Sequence, residues 1–294
     1  MPARLLDGKQ LAHQLKQDLC RETALIRETY QKVPLMCNIL IGDDPGARYY
    51  ANSQKRVAEE IGIDYIQKAF PAEVTQGALS NYLDDLNDDP AVTGIMVHKP
   101  VPDHIHEQSV FNELAPLKDI EGMNSLNIGN VLLGKGNIIP CTAAAVMAHL
   151  DAADISLRGK EVVIVGASEI VGKPLAMLCL AKMATVTVCH IATSEAGRLD
   201  EHVKRADVVI VAVGKPGLIT GAMIKDGAVV IDVGINKVAG GIVGDVDFES
   251  AVQHAGSLTP VPGGVGPVTV IMLMRNIIES FYLQQEQIHH TEPK

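Results

Sequence analysis

Gly159-Lys160-Glu161-Val162-Val163-Ile164-Val165-Gly166-Ala167-Ser168-Glu169-Ile170-Val171-Gly172-Lys173-Pro174 is the stretch around which the rest of the chain is organised. Residues Glu161 to Val165 are β-prone and nearly all apolar, and they run straight into a glycine-bounded turn, as a buried parallel strand does when it feeds a helix. At such a turn, backbone N–H groups and the helix N-terminus present partial positive charge, so the phosphates of a dinucleotide can sit there without a side-chain cation. The common dinucleotide fingerprint would place glycines at 166, 168 and 171, whereas this chain has Gly166, Ser168, Val171 and then Gly172. On this stretch alone, a strand-turn-helix corner that binds nothing is the alternative reading.

The surrounding composition narrows the function classes. A chain of 294 residues, 47% of them hydrophobic, has material for two ordinary domains. Twenty-five basic residues against 35 acidic ones give a net charge of −10 with no basic cluster, which argues against a nucleic-acid partner. Met1 to Leu15 lacks a secretory pattern, and no apolar run approaches the roughly 20 residues that span a bilayer, so a soluble, cytoplasmic protein with no membrane partner is expected. Cys20, Cys37, Cys141, Cys179 and Cys189 are scattered, without a Cys-x-x-Cys pair, which argues against a disulfide framework or a metal site. Buried free thiols are expected, Cys141 included, because it lacks a partnered histidine in sequence.

Working outward, Leu11 to Tyr30 reads as an amphipathic helix, Val33 to Ile41 as a strand ended by Gly42-Asp43-Asp44-Pro45-Gly46, and Ala47 to Ile61 as a helix stopped by Gly62. A strand (Asp64 to Phe70), a helix (Thr75 to Asn87) and a strand (Gly94 to Val97) complete an alternating half that predicts a parallel sheet. His98-Lys99-Pro100-Val101-Pro102 cannot continue a central strand, so the chain leaves the sheet at the edge where α/β proteins place ligands. Pro116-Leu117-Lys118-Asp119-Ile120-Glu121-Gly122 is a second candidate wall, with a surface Lys118–Asp119 pair as the alternative. Pro140-Cys141-Thr142 opens a helix to about Leu150. Strand-like runs at Ala184 to His190, Ala206 to Val213 and Ala228 to Val233 then predict a doubly wound second domain. The acidic residue that usually holds a ribose about 20 residues after the glycine loop is missing from Val188-Cys189-His190-Ile191-Ala192-Thr193. Thr259-Pro260-Val261-Pro262-Gly263-Gly264-Val265-Gly266-Pro267 combines close backbone approach with stiffness; a helix from Val268 to Phe281 and a disordered tail from His289 to Lys294 close the chain.

These pieces, in this order, resemble the bifunctional methylenetetrahydrofolate dehydrogenase/methenyltetrahydrofolate cyclohydrolase family over about residues 4 to 282. The matching pieces are Asp7-Gly8-Lys9, Gly42-Asp43-Asp44-Pro45, Tyr50, Lys118-Asp119, Pro140-Cys141-Thr142, the 166–174 turn, Asp232-Val233-Gly234-Ile235-Asn236, Gly244-Asp245-Val246-Asp247 and the 259–267 loop, the last close to diagnostic. The resemblance implies a two-domain α/β fold. Residues 1–139 plus 268–294 would form a parallel-sheet folate-binding catalytic domain, and 140–267 a Rossmann-type doubly wound NAD(P)-binding domain. It also implies a cleft between them, a tetrahydrofolate derivative as substrate, and a homodimer joined through the dinucleotide domain. By the same resemblance, Tyr50, Glu121, Pro262, Gly263 and Gly264 contact substrate. Gly166, Ala167, Ser168, Gly172, Ile191, Thr193, Gly214 and Ile235 line the cofactor, and Tyr50, Gln54, His98 and Glu121 occupy the catalytic positions.

Several of those positions depart from the family pattern. The family lysine four residues after the tyrosine is Gln54 here, the glutamine of its Gln-Leu-Pro-Leu-Pro loop is His98, the aspartate of Lys-Asp-Val-Asp-Gly is Glu121, and the serine before the tyrosine is Ala47. At about 100° per residue Tyr50 and Gln54 share a helix face, while Lys55 is turned roughly another 100° away and is a poor substitute. Oxidising methylene to methenyl moves a hydride and needs no proton transfer, whereas hydrolysing the methenyl bridge needs an activated water and a titratable group. The expected activity is therefore dehydrogenation, with cyclohydrolase activity weak or lost. His98 either acts as a replacement acid or base or stands in as a hydrogen-bonding group. Ala167 and Ile191 stand where many relatives carry groups that hold a 2′-phosphate, which favours NAD over NADP unless Lys173 or Arg198 reaches. The rival expectations are a catalytically impaired paralogue acting as a folate- or nucleotide-binding partner, and a dehydrogenase for a modified pterin.

Overall fold

The computed structural model describes residues 2–291, with side chains described through Ile288. The chain forms two compact units. One comprises the segment ending at His13, Val131–Gly134 and Thr142–Thr269; the other comprises Gln14–Asn130, Lys135–Cys141 and the segment beginning at Val270.

The second of these is built on a three-stranded parallel sheet. Its central strand β2 (Leu35–Ile41) lies between β3 (Asp64–Phe70) and β4 (Gly94–Val97), and the registers pair Met36 with Gly94 and Ile41 with Phe70. Met36, Ile39 and Ile95 are fully buried, as a strand covered on both faces requires. The crossover helix α2 (Pro45–Ile61) begins with Asp44 accepting from the Ala47 N–H at 2.7 Å. It stops at Gly62, whose φ of 89° suits glycine and whose N–H returns to Ala58 and Glu59. Helix α3 (Gln76–Asp88) is capped by the Thr75 hydroxyl, and α4 (Glu107–Glu113) follows the Lys99–Pro102 exit. An isolated parallel bridge between Ile95 and Asp119 sets the 118–121 segment beside β4, and a Cβ on Gly94 would lie 2.3 Å from Ile120. α5 (Ser125–Leu132) was not expected from the sequence.

The other unit carries a six-stranded, all-parallel sheet in the order β1 (Arg4–Leu5), β11 (Ser257–Leu258), β8 (Val229–Asp232), β7 (Val208–Val211), β5 (Glu161–Val165) and β6 (Thr185–Cys189). Its core strands are β5, β6, β7 and β8. β5 has β6 on one side and β7 on the other, so the strand order reverses at β5, and the crevice outside its carboxyl end opens at Gly166. The helix α7 (Gly172–Ala181) follows that turn. Two-residue strands β1 (Arg4–Leu5) and β11 (Ser257–Leu258) and the antiparallel hairpin of β9 (Asn236–Val238) and β10 (Gly241–Val243) were not anticipated; none is long enough to display an apolar period. α6 (Cys141–Ala152) and the short helices α8 (Ile191–Glu195), α9 (Leu199–Arg205) and α10 (Phe248–Ala251) complete the crossovers.

The last helix, α11 (Val265–Thr291), is longer than the Val268–Phe281 expected. Its backbone carries through the first part of the tail expected to be disordered, and the rest of that expectation falls on 292–294, outside the described residues. Among the described residues no helix is long and apolar enough to cross a membrane.

Candidate active site

In the three-stranded unit, the expected catalytic positions cluster at the carboxyl ends of β2 and β4. Tyr50 and Gln54 lie one turn apart on α2, and the Tyr50 ring meets the His98 ring edge-on with centroids 6.0 Å apart. Burial, then the nearby Cys141 and Glu121, pushes the Tyr50 phenol well above its ordinary range, while Gln54 opposes this with a hydrogen bond. The Gln54 side chain is fully buried. Its Oε1 accepts from Asn38 Nδ2 at 2.8 Å and its Nε2 donates to Met96 Sδ at 3.1 Å, so the amide is tied into the wall. Lys55 is half-exposed and faces Glu59 at 3.9 Å.

His98, at the end of β4, is held by its backbone N–H donating to Ile39. Its ring is 3% exposed, Nε2 has no hydrogen-bond partner among the described residues, and burial lowers its pKa to about 4. The ring is thus neutral at neutral pH. Glu121 carries a buried Oε2 that also lacks a partner; burial first, then the Asp119 carboxylate, raises its pKa to about 7 against the opposing Lys99. Lys99 itself is committed to Glu107 and lies over the Phe111 ring at 4.8 Å. Asn38 Oδ1 is a third buried atom without a partner, and sequence reading missed Asn38 because a polar residue inside an apolar strand carries no motif.

Lys118 and Asp119 do not form the surface pair weighed from the sequence. Lys118 Nζ donates to the carbonyls of Leu86, Asn87 and Asp89 at 2.7–2.8 Å, closing the C-terminus of α3. Asp119, fully buried, accepts from the N–H groups of Gly122 and Asn124 and from Asn127 Nδ2. These two residues shape the segment that presents Glu121. Cys141 is buried, and Asn276 Nδ2 joins its sulfur to the Ile120 and Ile139 carbonyls.

In the six-stranded unit, Gly166 has φ of 120°, and a Cβ there would lie 2.2 Å from the Ala212 carbonyl oxygen; a Cβ on Gly172 would lie 2.0 Å from the Gly166 oxygen. Ser168 stands where a second glycine is common, and its Oγ accepts from Val171 and Gly172 N–H at 3.2 and 3.5 Å in the turn that leads into α7. Ala167 is half-buried, Ile191 is exposed, and the Thr193 hydroxyl accepts from the His190 N–H. Lys173 and Arg198 pair with Glu169 and Glu201 at the surface. Gly214 and Ile235, both exposed, sit just past the ends of β7 and β8.

The 259–267 loop is locked from the same unit. Gly8 N–H donates to the Gly263 carbonyl, and a Cβ on Gly8 would lie 1.7 Å from the Gly264 oxygen. Gly263 has φ of 104°, and Val261-Pro262 is cis. His149, buried and unnoticed from the sequence, hydrogen-bonds the Gly264 backbone, while burial lowers its pKa. Among the described residues, no group of three or more His, Cys, Asp or Glu side chains could hold a metal ion.

Comparison with known proteins places these features in one family. Residues 6–121 match the model of the tetrahydrofolate dehydrogenase/cyclohydrolase catalytic domain, and residues 140–285 match that of its NAD(P)-binding domain. The bifunctional protein FolD of Moorella thermoacetica is 46% identical over 281 residues, covering 95% of this chain and 99% of that protein. The crystal structure of the bifunctional enzyme FolD from Campylobacter jejuni superposes with a TM-score of 0.93 at 39% identity, over 96% of this chain and 99% of that one. The Trypanosoma brucei enzyme, crystallised with NADP cofactor and an inhibitor, does so with a TM-score of 0.92 at 37% identity, over 97% and 99%. With both domain models matched and nearly the whole length shared, the chain belongs to the tetrahydrofolate dehydrogenase/cyclohydrolase family.

Proposed function

We infer that this chain is an NAD(P)-dependent methylenetetrahydrofolate dehydrogenase of one-carbon folate metabolism, in which the family's second activity, hydrolysis of the methenyl bridge, is weak or lost. The observation that carries the second part is the amide of Gln54: it is fully buried, bonded to Asn38 and Met96, and cannot titrate where the resemblance expects a lysine. His98, neutral with a pKa lowered to about 4, is a poor replacement and acts as a hydrogen-bonding group.

On this reading residues 1–139 plus 268–294 bind folate and 140–267 bind the dinucleotide. Tyr50 and Glu121, with Pro262, Gly263 and Gly264, contact the substrate. Gly166, Ala167, Ser168, Gly172, Ile191, Thr193, Gly214 and Ile235 line the cofactor. The turn at Gly166 suits a dinucleotide because, with no Cβ at Gly166 and Gly172, its backbone passes close to the Ala212 and Gly166 carbonyls and opens at the N-terminus of α7. When bound, the dinucleotide supplies hydride acceptance; the protein's share is to align the rings and exclude water. NAD is favoured because neither Ala167 nor Ile191 offers a cation, and Lys173 and Arg198 already face acids. The free cysteines suit a reducing cytoplasm, and the exposed Val188 on the edge strand β6 suits a homodimer through this unit.

A second reading has an observation of its own. Asn38 Oδ1, His98 Nε2 and Glu121 Oε2 are buried without partners in one unit, which fits a polar ligand whose donors differ from the standard pterin. The test is turnover of methylenetetrahydrofolate with each nucleotide. Reduction of NAD faster than NADP supports the inference; faster NADP reduction overturns the cofactor preference; and reduction of neither, with folate still bound, favours the modified-pterin or binding-partner readings.

A further inference from the structure

Two carboxylates in the six-stranded unit are almost wholly removed from water, Asp232 at 3% exposure and Asp245 at 0%, and among the described residues their hydrogen-bond donors are backbone N–H groups and the Asn236 amide, with no cation. Burying carboxylates without a counter-charge is costly, so backbone donors must hold them. Asp245 Oδ2 accepts from the N–H groups of Val213 and Gly214 at 2.7 and 3.0 Å, and its Oδ1 accepts from Asn236 Nδ2 at 2.9 Å. Asp232 Oδ1 accepts from Gly234 and Asp245 N–H at 2.9 and 3.0 Å, and its Oδ2 accepts from Val246 N–H at 2.9 Å. The backbone N–H of Asp232 donates to the Thr259 hydroxyl at 2.8 Å, at the start of the Pro260–Gly264 loop. Glycines are required for the fit: a Cβ on Gly234 would lie 2.3 Å from the Asp245 carboxyl carbon, and one on Gly244 would lie 1.8 Å from Asp232 Oδ2.

These bonds converge on the loops that leave the carboxyl ends of β7 and β8, beside the reversal of strand order at β5. Loops of this kind wander unless something fixes them, and here the fixing groups are two side chains that the sequence offers only as parts of glycine-rich motifs. We propose that Asp232 and Asp245 are positioning residues for dinucleotide binding, their carboxylates setting the 213–214 and 233–236 turns in the geometry that lets Gly214 and Ile235 line the cofactor. The proposal rests on the reading of those two residues as nucleotide-lining.

The donor patterns make the test asymmetric. In Asp245→Asn, the remaining carbonyl oxygen still accepts from Val213 and Gly214, and the Asn236 amide can turn over to accept from the new NH2; its other contact, to the Val243 carbonyl, is a long 3.4 Å. In Asp232→Asn, both oxygens faced backbone N–H groups, so the new NH2 must oppose a donor that cannot turn. A calorimetric titration of NAD and NADP into wild type, Asp245→Ala, Asp245→Asn and Asp232→Asn, with folate KM and kcat measured alongside, reads this out.

Asp245→Ala should weaken nucleotide binding at least about tenfold while Asp245→Asn stays within about threefold, and Asp232→Asn should resemble the alanine variant. Nucleotide KM should rise far more than kcat at saturation falls, and folate KM should hold. Asp245→Ala binding nucleotide like wild type overturns the proposal. So does a parallel rise in folate and nucleotide KM with a lowered melting temperature, which marks a merely structural pair. If the wild-type chain binds neither nucleotide, the nucleotide-site reading fails and takes this proposal with it.

Discussion

Glu121 shows how a single residue ties chemistry to stability. Its pKa is raised to about 7 by burial and by the Asp119 carboxylate, so the native state binds this proton more tightly than the unfolded chain does. The stabilising contribution is then complete below the unfolded carboxylate range and is lost as pH rises through about 7. Above that, the free protein holds an ionised carboxylate with an unpartnered oxygen, at a cost of roughly 3 kcal/mol. Glu121→Gln should therefore melt higher than wild type near pH 8, with the gap nearly closed by about pH 5, because the amide replaces the charge and not the protonated acid. Thermal melts at the two pH values check this, and an equal gap at both would contradict it. At this scale the sequence was informative about identity and poor about role. Gln54, His98 and Glu121 stood out as departures from a pattern, but nothing in their neighbours announced that the Gln54 amide would be tied to Asn38 and Met96, or that His98 would be stripped of water. Lys118 is the clearest case: its charge suggested chemistry or a surface pair, and it closes a helix.

At the scale of elements, what was legible was what repeats. β4 and β5 were read to the residue because short apolar runs bounded by turn residues are the direct imprint of a buried parallel strand, and β3, a largely exposed edge strand, was read from its place in the alternating half. The two-residue strands, the β9–β10 hairpin and the full length of α11 were not, since short strands have no period and a helix that continues beyond its buried face loses its pattern. The glycine turn was legible as a turn, but the need for glycine at 172 lay in three dimensions, where Gly172 abuts the Gly166 carbonyl and Ser168 Oγ accepts from Val171 N–H. A methyl group at 172 would meet that carbonyl oxygen at 2.0 Å, and backbone cannot move aside cheaply. Gly172→Ala should lower the melting temperature, with a loss of about 1–3 kcal/mol, and weaken nucleotide binding more than folate binding. Denaturant unfolding and nucleotide titration check it, and an unchanged midpoint with normal titration would contradict the close packing as a requirement.

For the whole molecule, the two reactions that the family name joins make different demands on the protein. Dehydrogenation asks the protein to align a folate carbon with a nicotinamide and keep water away, and on the proposed reading the glycine turn, the 259–267 loop and Tyr50 serve it. Hydrolysis asks for water to be admitted and a proton moved, and the side chain at the position expected to do that is a buried, non-titrating amide. The measurement that bears on this most directly is the loss of supplied methenyltetrahydrofolate above its spontaneous hydrolysis, in wild type and in Gln54→Lys. Little or no acceleration by wild type is expected, with hydrolysis gained in the lysine variant; rapid hydrolysis by the protein with Gln54 in place would contradict the loss of the second activity.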